Sequence, residues 1–457
     1  MLILVPKLRL GNRLVCQAPA WRFPGSQAPA WERGKRFILM HHFHYQSGEL
    51  FCENVPVRKI AEKVGTPFYL YSAGTLTHHY RVFDAAFAEF PHIVCFAVKA
   101  NANLAILRLF GRLGGGADIV SGGELFRALA AGVDPGKIVY SGVGKKPEEI
   151  KAALKANILL FNLESSQELE EINRIAGRLR LKARVALRIN PDIDAQTHPY
   201  ISTGLKKNKF GIDIEQAMND YRRALDLPHL EVVGVACHIG SQITQVAPFV
   251  DALQRLKELI DRLRDLGIRI RYLDLGGGLG IQYHDEVPPH PDEYGQKLLE
   301  HLKGLQCTLI LEPGRVLVGN AGILVTKVLY TKTGGAKHFI IVDAGMNDLA
   351  RPSLYGSYHG LWPVVEGAHP QVKASIVGPI CETGDFLAKD RLMPAFQPGE
   401  MVAVMSAGAY GFSMSSNYNA RPRVAEILVQ DRDFYVIRKR ETYRQLTWGE
   451  SIPEFLK

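Results

Sequence analysis

Ile93-Val94-Cys95-Phe96-Ala97-Val98-Lys99 is an unbroken apolar run that stops at a charge. Six apolar residues without alternation suit a parallel strand buried on both faces. Asn101-Ala102-Asn103 then opens a helical pattern through Leu104, Leu107 and Leu109, and Asn is a good N-cap. Lys99 therefore falls in a strand-to-helix turn at the carboxyl end of a strand, where α/β proteins place their ligands. Apolar neighbours that desolvate its amine would leave it deprotonated and nucleophilic toward a carbonyl. The plainer alternative is a surface lysine closing a strand.

Working outward from this stretch, the same texture repeats. Apolar strands read at Ile93 to Val98, Ala117 to Ser121, Ile138 to Ser141, Ile158 to Asn162, Ala183 to Asn190, Val232 to His238, Tyr272 to Leu275 and Thr308 to Leu311. Amphipathic helices lie between them, as at Gly123 to Ala131, Pro147 to Ala156, Ser166 to Leu179, Pro248 to Leu266 and Pro291 to Lys303. Eight such units are the count and size of a (β/α)8, TIM-like barrel. After Arg315 the pattern changes to strand runs punctuated by Gly and Pro: Gly322 to Tyr330, His338 to Val342, Gln371 to Val377 and Met401 to Met405. A C-terminal β-sandwich or β-barrel domain is expected there. Phe43 to Val55 also reads as strands, which should pair with that domain. The expected division is 1–39 as an extension, 40–72 as N-terminal strands, 73–320 as the barrel and 321–457 as the β domain. The polar stretch His198 to Phe210 interrupts the step between strands five and six and is a lid candidate.

The chain has 457 residues, is 47% hydrophobic and 22% charged, and has room for two domains. Its net charge of +9 is concentrated at one end. Residues 1–39 hold seven Lys/Arg and one acid, leaving only +3 for the remainder. That argues against nucleic acid as a partner. QAPAW occurs twice in this segment, at Gln17 and Gln27, without helical or strand period, so a disordered extension is expected. No apolar run approaches a membrane span, and the first residues lack a signal peptide's order, so a cytoplasmic protein is expected. The six cysteines are scattered without CxxC or metal-ligand spacing, which points to reduced thiols and to no metal.

In a barrel, active residues gather just after the carboxyl ends of the strands. Those positions hold Lys99 after strand one, Asp118 and Ser121 on strand two, and His238-Ile239-Gly240-Ser241 after strand six. Gly276-Gly277-Gly278 follows strand seven and Glu312-Pro313-Gly314-Arg315 follows strand eight. Singly each has a structural explanation: a core histidine, a tight turn, an ion pair. Together they describe one rim. The triglycine brings backbone N–H groups close to an anion, and Gly240 and Arg315 add donors to the same phosphate. His238 can lie on a flat ring, Glu312 can pair with a protonated ring nitrogen, and Lys99 can hold an aldehyde as a Schiff base. Phosphate, pyridinium and aldehyde together specify pyridoxal 5′-phosphate.

FAVKAN (96–101), GADIVSGGEL (116–125), HIGSQ (238–242), LDLGGGLGI (273–281), EPGR (312–315), CETGD (381–385) and GAYGFSMSSNYNARPR (408–423) resemble diaminopimelate decarboxylase closely. The resemblance runs from about Met40 to Lys457. It implies a barrel plus a β domain, a homodimer with shared active sites, and decarboxylation of meso-2,6-diaminopimelate to L-lysine and carbon dioxide, the last step of lysine biosynthesis. It assigns the cofactor to Lys99, Asp118, His238, Gly240, Ser241, Gly276, Gly277, Gly278, Glu312, Pro313, Gly314, Arg315 and Tyr410. Substrate contacts fall to Arg315, Arg351, Tyr355, Glu382 and Tyr410, with Cys381 and Glu382 entering the partner subunit's site. Lys99, Cys381 and His238 carry the catalytic roles, and either Cys381 or Lys99 can return the proton to Cα.

Other readings share parts of this pattern. An ornithine or arginine decarboxylase would use the same cofactor residues, but its substrate lacks a distal carboxylate and leaves Arg351 without an obvious partner. An amino-acid racemase would need acids on both faces of Cα. A non-catalytic cofactor-binding protein would not need CETGD and Tyr410.

Overall fold

The computed structural model describes residues 41–193, 209–335 and 337–457. The 1–39 extension and residues 198–208 of the lid candidate lie outside the described residues. Eight parallel strands form a closed ring: β1 (His92–Ala97), β2 (Gly116–Ile119), β3 (Ile138–Tyr140), β4 (Leu160–Leu163), β5 (Ala183–Asn190), β6 (Leu230–Ala236), β7 (Tyr272–Asp274) and β8 (Thr308–Leu311). Leu309 opposite His92 joins β8 to β1, and Phe161 opposite Val185 joins β4 to β5. A two-residue strand, Ile212–Asp213, adds beside β5.

Alternation along the strands sorts their side chains. Val94 and Phe96 on β1, Ala117 and Ile119 on β2, and Val185 and Leu187 on β5 join the large apolar cluster under the helices. Cys95, Val139, Leu160, Ala186 and Ile310 form a separate apolar layer on the opposite, inward side. Two residues further along, that inward side turns polar: Ser141 follows Val139, Asn162 follows Leu160, Arg188 follows Ala186 and Glu312 follows Ile310. Asp118 and Asp274 stand on β2 and β7, in register with Val139 and Ile310, and add two buried carboxylates. The barrel is thus greasy at its floor and ionisable at its carboxyl mouth.

Among the described residues seven α-helices follow β1 to β7, but only the four-residue Arg315–Val318 follows β8. The vacant place in the outer ring is filled from upstream by Ala73–Ala85, capped by Ser72 accepting from the Thr75 amide at 2.9 Å. Its Tyr80 stacks on Phe110 at 5.6 Å, and its Phe83 meets Tyr294 at 6.2 Å.

Beyond the barrel the thirteen-residue strand Gly322–Gly334 organises a nine-stranded mixed sheet. Its first half pairs with Phe68–Ser72 on one side and Met401–Val404 on the other, and its second half with Lys337–Val342. Phe43 to Val55 behaves differently from the sequence expectation. It folds on itself as a three-stranded antiparallel sheet (Phe43–Gln46, Glu49–Cys52, Val55–Pro56) and meets the β domain at the bridge Glu49 to Val365 and at Asn54, whose amide donates to the Asp431 carbonyl at 3.0 Å. Ser47 and Gly48, at φ 52° and 76°, supply the hairpin turn. Side chains still join the two, since Phe43, Leu50 and Cys52 share a core with Leu70, Ile323 and Ala403. The upstream strand that does enter the large sheet is Phe68–Ser72, whose run FYLYS is buried throughout and shows no alternation.

Candidate active site

β1 ends at Ala97, and Lys99 sits in the single turn Val98–Ala100 that follows. Its side chain keeps 36% of its exposure, and its Nζ donates to Asp118 Oδ2 at 2.5 Å. Burial pushes the Lys99 ammonium down, but Asp118, Glu312 and Tyr410 together outweigh it and hold the group well above its usual range. This corrects the expectation of a lysine deprotonated by apolar neighbours. Its chain neighbours are apolar, but Asp118 reaches it from β2, where it pairs in register with Ala97.

Glu312 and Asp274 share a hydrogen bond at the mouth. Burial first, then the neighbouring Asp118 and Asp274 charges, raises Glu312 well above the carboxylate range, and burial pushes Asp274 up to about 6. Ser141 Oγ and Asn162 Nδ2 donate to Glu312 Oε1 at 3.3 and 3.5 Å, and Asn162 also donates to Asp274 Oδ2 at 2.8 Å. His238 is kept neutral by burial and by the Arg188 and Lys99 charges. The Gly277 amide donates to its Nδ1 at 3.1 Å, which leaves the ring proton on Nε2.

The triglycine has a packing reason of its own. A Cβ at Gly277 would lie 2.1 Å from the Glu312 carbonyl, and one at Gly278 2.5 Å from that of Gly240. Two of its amides are engaged within the protein, Gly276 with Asp274 and Gly277 with His238. An anion at this rim thus falls to the rest of the loop and to Arg315. The Arg315 guanidinium donates to Tyr283 Oη at 2.6 Å and Ser241 Oγ at 3.0 Å, and lies 4.9 Å from the Tyr410 ring. Arg351 also lies over Tyr283, 4.5 Å from its ring, and is steadied by His359 Nε2 at 3.0 Å. His359 in turn donates from Nδ1 to the Met405 carbonyl at 2.8 Å, and burial and Arg351 push its pKa down to about 3. Both guanidiniums are buried, and neither makes an ion pair among the described residues.

Residues 73–319 match the family model described as the pyridoxal-dependent decarboxylase, pyridoxal binding domain. A diaminopimelate decarboxylase from Pseudomonas aeruginosa is 55% identical over 417 residues, covering 90% of this chain and 99% of that protein. The chain belongs to the diaminopimelate decarboxylase family. Two solved structures of that family agree. The M. jannaschii diaminopimelate decarboxylase in co-complex with L-lysine superposes with a TM-score of 0.87 at 40% identity, over 91% of this chain and 99% of that one. The Helicobacter pylori diaminopimelate decarboxylase complexed with L-lysine gives 0.84 at 44%, over 86% and 98%.

As a member of a pyridoxal-dependent family the chain works with pyridoxal 5′-phosphate, and its mouth fits that group. Asp118 Oδ1 and Arg315 Nε are buried without a hydrogen-bond partner among the described residues. Lys99, His238, Glu312 and the Arg315 guanidinium share the mouth with them. Tyr410 enters from the β domain with φ 55°, its amide donating to the Ala100 carbonyl at 2.8 Å. Tyr355 closes the short helix Arg351–Tyr355 beside the two arginines. Cys381 and Glu382 stand apart. Both are exposed, on a loop held by Asn419 Oδ1 at the Cys381 amide (2.6 Å) and by Asp385 at the Ile380 and Met346 amides. Sequence reasoning missed Tyr283, His359, Asn162 and Asp274. Asp274 had a signal, standing two residues before Gly276 on the inward side of its strand, whereas Tyr283 and His359 lie in loops without period.

Proposed function

We propose that the chain removes carbon dioxide from one end of meso-2,6-diaminopimelate to leave L-lysine, as a cytoplasmic homodimer with shared sites. The observation that carries this reading is the pair Arg315 and Arg351, two buried cations over one tyrosine without a carboxylate. Isolated buried charge is costly, so such a pair calls for anionic ligands. A phosphate and the distal carboxylate of meso-diaminopimelate are two such anions, whereas ornithine and arginine carry only the α-carboxylate that leaves as carbon dioxide and would leave Arg351 unanswered.

Pyridoxal 5′-phosphate, when bound, supplies an aldehyde that condenses reversibly with amines and a ring that takes up the electron pair left when carbon dioxide departs. Lys99 Nζ is the amine that anchors it. Asp118 Oδ2 is placed to take the Nζ proton, which would free the amine's lone pair for an aldehyde, and to return it when Nζ is released, which would make Lys99 a suitable acid. Glu312, whose carboxyl is pushed up by burial and by Asp118 and Asp274, would share a proton with the ring nitrogen. His238, flat and uncharged, gives the ring a stacking surface without competing for protons. Arg315, with Gly278 and the Gly240-Ser241 turn, binds phosphate, while Arg351, Tyr355 and Tyr410 face the substrate. Cys381 and Glu382, directed to the partner's mouth, complete the site.

Carbon dioxide release from the purified chain offered meso-diaminopimelate, L-lysine, L-ornithine and L-arginine in parallel tests the reading. Release from meso-diaminopimelate alone is expected, and faster release from a diamine precursor would overturn it. Glu382→Gln should raise KM for meso-diaminopimelate by about thirtyfold, on the order of 2 kcal/mol for a desolvated pair with the distal ammonium. Steady-state kinetics check this, and an unchanged KM would return Glu382 to the loop's structure.

A further inference from the structure

Glu426 is a fully buried carboxylate of the β domain, on the strand Ala425–Gln430, and nothing in the proposed chemistry uses it. Its oxygens hold partners from both halves of the molecule. Oε1 accepts from Tyr71 Oη at 2.9 Å, while Oε2 accepts from Asn103 Nδ2 at 2.9 Å and Arg438 Nε at 2.5 Å. Asn103 is the N-cap of the helix that follows Lys99, its Oδ1 accepting from the Ala105 amide at 3.0 Å. The Asn103 amide donates to Asn101 Oδ1 at 3.1 Å, and Asn101 Nδ2 donates to the Gly408 carbonyl at 3.1 Å. Two residues on, Tyr410 donates its amide to Ala100, the residue after Lys99. The hydrogen bonds form a circuit. It runs from Glu426 through Asn103 and Asn101 to the Tyr410 loop and back to the Lys99 turn.

We propose that Glu426 is a positioning residue that fixes the Lys99 turn against the Tyr410 loop across the joint between barrel and β domain. Asn101 and Asn103 are each at most 3% exposed, so water cannot replace the links that Glu426 supplies. A carboxylate is required because three donors converge on two oxygens. A glutamine would turn an N–H toward one of them. The cost falls on geometry, because Lys99 and Tyr410 must keep their spacing for the cofactor and substrate atoms between them, and a shift of about 1 Å lowers rates by up to about a hundredfold. The inference rests on the proposed role of Lys99 and Tyr410, but the circuit itself can be read without cofactor.

Glu426→Gln and Asn103→Ala cut the circuit at adjacent links, whereas Arg438→Gln removes only the ion pair. Three readouts separate positioning from stability: amide exchange at Tyr410 in the cofactor-free protein, visible circular dichroism of bound pyridoxal phosphate, and kcat/KM. The first two variants should speed exchange at Tyr410, weaken the dichroic band and lower kcat/KM by about 10- to 100-fold. Their double variant should lose no more than either alone, and Arg438→Gln should lower the melting temperature while leaving the band in place. Wild-type exchange and band in Glu426→Gln, or equal effects from Arg438→Gln, would overturn the proposal. If Glu426→Gln fails to fold, Asn103→Ala decides by the same readouts. Faster exchange at Tyr410 in a chain that binds no pyridoxal phosphate even as wild type would instead defeat the cofactor assignment.

Discussion

Lys99→Ala is expected to lose turnover by roughly a thousandfold or more, together with the label that borohydride fixes on the peptide carrying residue 99. Borohydride delivers hydride to a carbon–nitrogen double bond and leaves a stable secondary amine, so mass spectrometry after digestion reads the attachment point directly. The substitution also removes the cation beside Asp118, a residue with no exposed surface whose Oδ1 already lacks a partner among the described residues. Stripping one member of a buried pair costs about 3 kcal/mol, less here because Lys99 keeps some exposure. A drop in melting temperature is therefore expected alongside the lost chemistry. Lys99→Arg separates the two effects, since a guanidinium keeps the charge beside Asp118 but stays protonated and cannot attack the aldehyde. It should melt close to wild type and remain unlabelled and inactive. A labelled, active Lys99→Ala chain would remove Lys99 from the chemistry.

The ion pair marks where sequence reading ends. All eight barrel strands were legible because each is a short apolar run between turn residues, and Thr308 to Leu311 and Ala183 to Asn190 fall where the pattern places them. The rim positions followed from that count. The charge state of Lys99 did not, because a sequence shows Val98 and Ala100 beside it and conceals Asp118 on the next strand. The eighth helix was hidden for a similar reason. Ala73–Ala85 precedes the first barrel strand, and only closure of the ring puts Tyr80 and Phe83 into the gap after β8. Tyr283 and His359 carry no periodic signal, and their importance appears only when Arg315 and Arg351 are seen to converge on one ring. The hairpin at Phe43 is a different case: Ser47-Gly48 is a turn signal within the sequence, and it closes that segment on itself.

Assembly is tested by the separation of Cys381 from the barrel mouth. Cys381 is exposed, and its loop is braced from within its own β domain: Asn419 holds its amide, Asp385 ties Ile380 to Met346, and Ser353 Oγ donates to the Gly384 carbonyl at 2.6 Å. That bracing presents the thiol outward. A two-fold dimer makes both copies of such a loop meet equivalent surfaces, so each barrel would receive the other's Cys381. Lys99→Ala and Cys381→Ala chains should then each be nearly inactive alone. In an equal mixture after subunit exchange, about half the dimers carry one chain of each kind, and each of those has one site with both native residues. Activity should recover toward roughly a quarter of wild type on this symmetric-dimer count. Native mass spectrometry of differently tagged chains verifies the exchange. Confirmed heterodimers without recovered activity would place Cys381 in its own chain's site or outside the reaction.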